Sequence, residues 1–181
     1  MSGRLARRYA KALLDLARAR GALQDWGEEL GRAVAAFDEP RLRPLCLSPA
    51  LERTTRVKNT KQVVAALGVS SMVGNLIAIL AERDRLALLT DVSRWYDVLL
   101  DDELGRARVT IRSATPLGPS QRNEIIEVAR RLSGRREVLA VTEVDPDLLG
   151  GVVLDVGGTV YDGSLKAQLI RLSKEMAAGG A

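Results

Sequence analysis

A chain of 181 residues that is 46% apolar but only 3% aromatic can bury a core as one domain or two small ones, and that core must be aliphatic. With no histidine and one cysteine, Cys46, it excludes an intrachain disulfide, the Ser-His and Cys-His nucleophile arrangements and every His-containing metal site. A net charge of +4 permits contact with nucleic acid or an acidic membrane surface, yet the excess is mostly arginine spread over both halves, so charge alone selects neither.

Leu5 to Ala19 has the spacing of a first helix, with Leu5, Tyr9, Leu13 and Leu16 on one stripe, Ala6, Ala10 and Ala17 beside them, and Gly21 as its end. Its Arg4, Arg7, Arg8 and Lys11 run on into Asp15 without a cleavage-site pattern, which favours a structural helix over a transit peptide. Leu23, Trp26, Leu30, Val34 and Phe37 mark a second helix, stopped by Pro40 and Pro44, and Pro44 to Pro49 reads as a short break. Glu52 to Leu67 follows as a helix through Val57, Val63, Val64 and Leu67, ended by Gly68. Ser70 or Ser71 is positioned to cap the next one, in which Met72, Val73, Leu76, Ile77, Ile79 and Leu80 leave almost no polar face before Glu82-Arg83-Asp84-Arg85. A helix apolar nearly all round must be covered by several neighbours or by a partner. After Leu86 to Leu89, a cap at Asp91 or Ser93 leads into Trp95, Val98 and Leu99, ending at Asp101-Asp102-Glu103 and Gly105.

The period then changes to two, in Arg108-Val109-Thr110-Ile111-Arg112. Ser120 caps a helix with Ile125, Ile126, Ala129 and Leu132 inward, and Glu137 to Val144 is a second strand. Val152 to Val156, the turn Gly157-Gly158 and Thr159 to Tyr161 form a hairpin, after which Asp162-Gly163-Ser164 caps a helix bearing Leu165, Leu169, Leu172 and Met176. The expectation is an α+β protein: an all-α bundle of about six helices over residues 1–105, then a small β-α-β-β-β-α domain over 106–181.

Catalytic chemistry finds little footing. The glycines from Gly150 to Gly163 suggest a phosphate loop, but Gly163 is followed by Ser164-Leu165 rather than Lys-Ser/Thr, and no G-x-G-x-x-G fits. They read as turn glycines. Asp101, Asp102 and Glu103 are consecutive on a helix and do not face one another, so they read as a solvated acidic end rather than an acid–base pair or cation site. Arg83 and Arg85 are expected to exchange salt bridges with Glu82 and Asp84. The strand face of Arg106, Arg108 and Arg112 is the best nucleic-acid candidate, but no aromatic residue for base stacking lies between Tyr96 and Tyr161. No catalytic residue, metal ligand, cofactor site or small-molecule substrate is expected, and the protein is read as a non-enzyme. Tyr9, Leu13 and the face from Leu76 to Leu80 either pack on one another or line a groove for a partner's amphipathic helix.

Four collinear stretches carry a family resemblance. Ala6-Arg7-Arg8-Tyr9-Ala10-Lys11-Ala12-Leu13, Ser48-Pro49, Asn75-Leu76-Ile77-Ala78-Ile79-Leu80-Ala81-Glu82-Arg83-Asp84-Arg85-Leu86, and Leu148-Leu149-Gly150-Gly151 through Asp162-Gly163-Ser164 to Leu172 together resemble the delta subunit of F-type ATP synthase, the oligomycin sensitivity-conferring protein of mitochondria. Arg83-Asp84 replaces that family's Asn-Gly, and Gly158 stands where Asp or Asn often follows the turn glycine. The resemblance implies a non-catalytic stator subunit, peripheral on the cytoplasmic face of a bacterial plasma membrane, that takes part in proton-driven ATP synthesis. It would link the alpha/beta head to the b subunits of the peripheral stalk. It implies that Tyr9, Leu13, Leu76, Ile79, Leu80 and Arg83 meet the N-terminal helix of an alpha subunit, and that Leu165, Leu169 and Leu172 meet the b subunit. The rival class is an RNA-binding or ribosome-associated basic protein, whose binding would weaken steeply with salt.

Overall fold

Alanine spacing decides how the first helix packs. In the computed structural model, which describes residues 2–169, α1 (Ser2–Arg20) buries Ala6, Ala10, Leu13, Leu14 and Ala17. The expected stripe is therefore turned by about one position, because small side chains let neighbouring helices approach closely along that line. Leu5 and Tyr9 sit half-buried at its margin, and Leu16, expected inside, is exposed.

Contacts divide the chain into two compact units after Leu100. In the first, α2 (Leu23–Asp38) buries Trp26, Leu30, Ala33 and Phe37. The stretch read as a break holds a short helix, α3 (Arg43–Leu47): Pro44 lies in its first turn, where a missing N–H leaves nothing unsatisfied, and Cys46 is buried. Burial raises the Cys46 thiol pKa, partly offset by a hydrogen bond with Thr60. Thr60 is the one fully buried residue of α4 (Arg53–Leu67), its hydroxyl donating back to the Arg56 carbonyl at 2.8 Å.

Helix α5 (Ser71–Glu82) starts after Ser70, but the serine side chain does not cap it. Instead the Glu29 carboxylate of α2 accepts from the Ser70 amide at 2.9 Å and the Ser70 hydroxyl at 2.6 Å. A 3₁₀ turn (Leu86–Leu88) runs directly into α6 (Leu89–Leu104), so neither Asp91 nor Ser93 is a cap and Asp91 lies in the first turn. Leu89, Val92, Tyr96 and Leu100 are the buried apolar positions of α6, at i, i+3, i+7 and i+11. The Tyr96 hydroxyl donates to the Leu23 carbonyl at 2.8 Å, and its ring lies over Gly27, where an added Cβ would stand 3.3 Å from it. Trp95 is held under the Arg7 guanidinium, 5.3 Å from the ring centroid.

The second unit is a four-stranded mixed sheet in the order β2-β1-β3-β4. Strand β1 (Arg106–Ser113) pairs parallel with β2 (Glu137–Val144) and antiparallel with β3 (Val152–Val156), which pairs antiparallel with β4 (Thr159–Asp162). One face of β1, Ala107, Val109 and Ile111, forms the core with Leu154 and with Ala129 of α7 (Pro119–Ser133). Helix α7 begins two residues before the sequence suggests: Gly118 is its N-cap, the Gln121 side chain accepts from the Gly118 amide at 3.0 Å, and Ser120 lies inside. Leu132, expected inward, is 43% exposed. Gly157 and Gly158 both have positive φ, 58° and 90°, as a tight hairpin turn requires, and a helical start covers 165–169. Leu172 and Met176 lie outside the described residues. Among the described residues, no helix is long and apolar enough to cross a membrane.

Asp101 is not a solvated helix end. It is 8% exposed and takes the Arg108 guanidinium, Asp102 pairs with Arg135 at 2.6 Å, and Glu137 pairs with Arg106 at 2.6 Å. The acidic end of α6 and the basic strand face thus satisfy each other, which removes much of the charge that made the strand a nucleic-acid candidate.

Candidate partner-binding site

The exit of α5 is built by an aspartate doing what glycine usually does. Asp84 has φ 55°, the only positive φ at a non-glycine residue among those described. Around it the Asp84 amide donates to the Ala81 carbonyl at 3.1 Å and the Arg85 amide to the Leu80 carbonyl at 2.7 Å, the two bonds of a Schellman stop. Aspartate tolerates this left-handed conformation better than most residues, so it serves here in place of glycine.

The salt bridges expected within this corner form elsewhere. Glu82 pairs with Lys61 at 3.1 Å and Asp84 with Arg56 at 2.7 Å, both from α4, while Arg53 donates to the Glu82 carbonyl. Three cations of α4 therefore meet the negative end of the α5 dipole. Arg83 and Arg85 are left facing α1, where the Arg85 guanidinium reaches the Tyr9 hydroxyl at 3.4 Å.

Helix α1 packs against α5, and a groove of about 400 Å³ opens between them. Leu5, Arg8, Tyr9, Ala12, Ile79, Arg83 and Arg85 line it. Of the residues named from the sequence, it brings together Tyr9, Ile79 and Arg83. Ile79 is 43% exposed, a large aliphatic surface facing solvent. Leu13, Leu76 and Leu80 lie in the bundle core beneath, at 3%, 8% and 0% exposure. The sequence reading does not assign Leu5, Arg8, Ala12 or Arg85 to the groove, although Leu5 and Ala12 lie one turn either side of Tyr9.

The second unit carries its own open apolar groove, about 480 Å³, between α7 and the hairpin. Ile125, Val128 and Leu132 form one wall and Val152, Leu154 and Tyr161 the other. Leu165 and Leu169 are exposed at 48% and 59%. The amides from Gly163 to Leu165 are all engaged within the unit: the Gly163 amide donates to the Val152 carbonyl at 3.0 Å, the Ser164 amide to the Asp162 carboxylate at 2.9 Å and the Leu165 amide to the Gly150 carbonyl at 3.0 Å. Ser164 then caps the helical start, its hydroxyl accepting from the Ala167 amide at 3.2 Å.

The described residues thus form a helical unit with a cation-rimmed apolar groove and a mixed-sheet unit with an apolar groove of its own, an α+β protein of two compact units. The sequence profile described as ATP synthase delta (OSCP) subunit matches residues 5–176, and the chain belongs to that family. It is 40% identical to ATP synthase subunit delta of Anaeromyxobacter sp. (strain Fw109-5), over 96% of this chain and 97% of that one. To the subunit delta of Geobacter sp. (strain M21) it is 38% identical over 93% of each chain, and to that of Myxococcus xanthus 35% over 95% and 96%. The fold is also similar to a chain in the cryo-EM structure of the Toxoplasma gondii mitochondrial ATP synthase hexamer, with a TM-score of 0.71, 23% identity and 96% and 97% of the two chains covered. The family is one of structural subunits of the peripheral stalk, not of catalytic chains.

Proposed function

We propose that this subunit is the link between the catalytic alpha/beta head and the b subunits, holding the head against rotor torque on the cytoplasmic face of a bacterial plasma membrane while protons drive ATP synthesis. The observation that carries the reading is the α1–α5 groove: Tyr9, Ile79 and Arg83, each from a stretch that resembles the family, line one open surface. In this reading the N-terminal helix of an alpha subunit lies there with its apolar face on Leu5, Tyr9 and Ile79, above a floor stiffened by Leu13, Leu76 and Leu80. Burying such a strip contributes about 25 cal/mol per Å² of apolar surface, so a few side chains suffice for specific binding. The second unit meets the b helices through Leu165, Leu169 and Leu172, Leu165 and Leu169 being exposed apolar residues of the described part.

The test is co-purification from gently solubilised membranes of the source organism. Recovery of alpha, beta and b subunits with the tagged chain is expected. Recovery of ribosomes without alpha or beta would overturn the reading.

A further inference from the structure

We infer that the α1–α5 groove selects an acidic amphipathic helix, and that Arg8 and Arg83 set this preference. The inference rests on that groove being the seat of the alpha N-terminal helix. Three guanidinium groups, Arg8, Arg83 and Arg85, stand among its seven lining residues and no carboxylate does. The acids that could have neutralised them are engaged elsewhere. Glu82 is held by Lys61, Asp84 by Arg56, and Asp15, the only acid of α1, lies 3.7 Å from Arg18. Arg85 is directed onto the Tyr9 hydroxyl, whereas the Arg8 and Arg83 side chains make no ion pair or hydrogen bond with any described residue. Both are exposed.

A partner helix that covers Leu5, Ala12 and Ile79 brings its flanking positions to these two cations. Carboxylates there gain charge-assisted contacts, and basic side chains meet uncompensated like charge. Apolar contact supplies the attraction common to any amphipathic helix, and the arginines supply the discrimination.

Calorimetry on the full-length protein tests this with two synthetic peptides. One spans the N-terminal helix of the alpha subunit from the same organism. The other is the same peptide with every Asp and Glu changed to Asn and Gln. At low salt, about 0.05 M, the native peptide should bind roughly three- to tenfold tighter for each charge contact, and the advantage should shrink at about 0.5 M. Arg8→Gln and Arg83→Asn should each remove a comparable factor for the native peptide and leave the neutralised one unchanged. Lys58→Gln, on exposed α4 surface outside the groove, should change neither. Equal affinity of the two peptides at both salts, with Ile79→Ala still weakening both, would overturn charge selection while leaving the groove as the site. Binding of neither peptide, or binding indifferent to Ile79→Ala, would overturn the groove reading and this inference with it.

Discussion

Gly151 abuts Gly163: a Cβ added to Gly151 would stand 2.5 Å from the Gly163 carbonyl oxygen and 2.9 Å from the Ser164 Cα. The two halves of the Gly-Gly and Asp-Gly-Ser signature, separated in sequence by a whole hairpin, are in backbone contact. That contact explains glycine at 151 twice over, since its φ is also 83°. Gly151→Ala should cost roughly 3 kcal/mol, the sum of left-handed strain and a clash with rigid backbone. Gly157→Ala, with φ 58° but nothing within 4 Å of the added carbon, should cost only about 1 kcal/mol. Hydrogen exchange of the β1 and β3 amides measures both, and equal effects would remove the close approach as the cause.

Asp84 makes a matched pair of predictions. Asp84→Ala loses both the tolerance for φ 55° and the bond from Arg56, and should destabilise by about 1 to 2 kcal/mol. Asp84→Gly relieves the backbone while losing the same exposed ion pair, and should lie within about 0.5 kcal/mol of the parent. Urea denaturation separates the two. A glycine variant as unstable as the alanine one would show that the ion pair, not the turn, is what matters.

Tyr96 links stability to alkaline pH. Burial, with a smaller contribution from the charge of Asp97, raises its hydroxyl from 10.0 to about 12. The folded protein therefore holds this proton more tightly than the unfolded chain. The resulting stabilisation is complete below about pH 10 and is lost as pH rises towards 12, amounting to roughly 2 to 3 kcal/mol. Tyr96→Phe lacks this dependence, at a neutral-pH cost of about 1 kcal/mol for the Leu23 carbonyl left without its donor. Melting curves between pH 9 and 12 should show the parent's advantage closing and then reversing, the Phe variant being the more stable near pH 12. Parallel pH profiles would contradict the assignment.

Most of the architecture was legible because it depends on period. The change from 3.6 to 2 after Gly105, the Gly157-Gly158 turn and the long apolar run of α5 survive any detail of packing. What was misread depends on neighbours distant in sequence. A stripe through the largest side chains puts Leu16 inside, whereas Ala6 and Ala10 set the line of closest approach and leave Leu16 exposed. The cap of α5 comes from Glu29, 41 residues away, which no local motif encodes. Likewise Arg83 looks self-compensated beside Glu82 and Asp84 in sequence, and only the packing of α4 against α5 shows those acids to be taken. For the groove, apolar character pointed to the right two helices, but it could not separate Ile79, outside, from Leu76 and Leu80, inside.

Residues 1–105 should fold alone. Each helix there has buried positions within the same unit, and contacts divide the chain after Leu100. A fragment ending at Gly105 should be helical, monomeric and cooperatively melting. If it is disordered while the full chain folds, the helical unit depends on the sheet unit and the boundary is wrong.

The central claim is that the α1–α5 groove holds the alpha N-terminal helix, and affinities of an alpha N-terminal peptide for single-site variants test it most directly. Tyr9→Ala and Ile79→Ala remove half-buried or exposed groove side chains rather than core, so both proteins should remain folded. Each should lose about 1 to 3 kcal/mol of binding, roughly tenfold to a hundredfold in affinity. Arg106→Ala, whose side chain pairs with Glu137 in the other unit, should bind like the parent. Unchanged affinity in folded Tyr9→Ala and Ile79→Ala proteins would contradict the account.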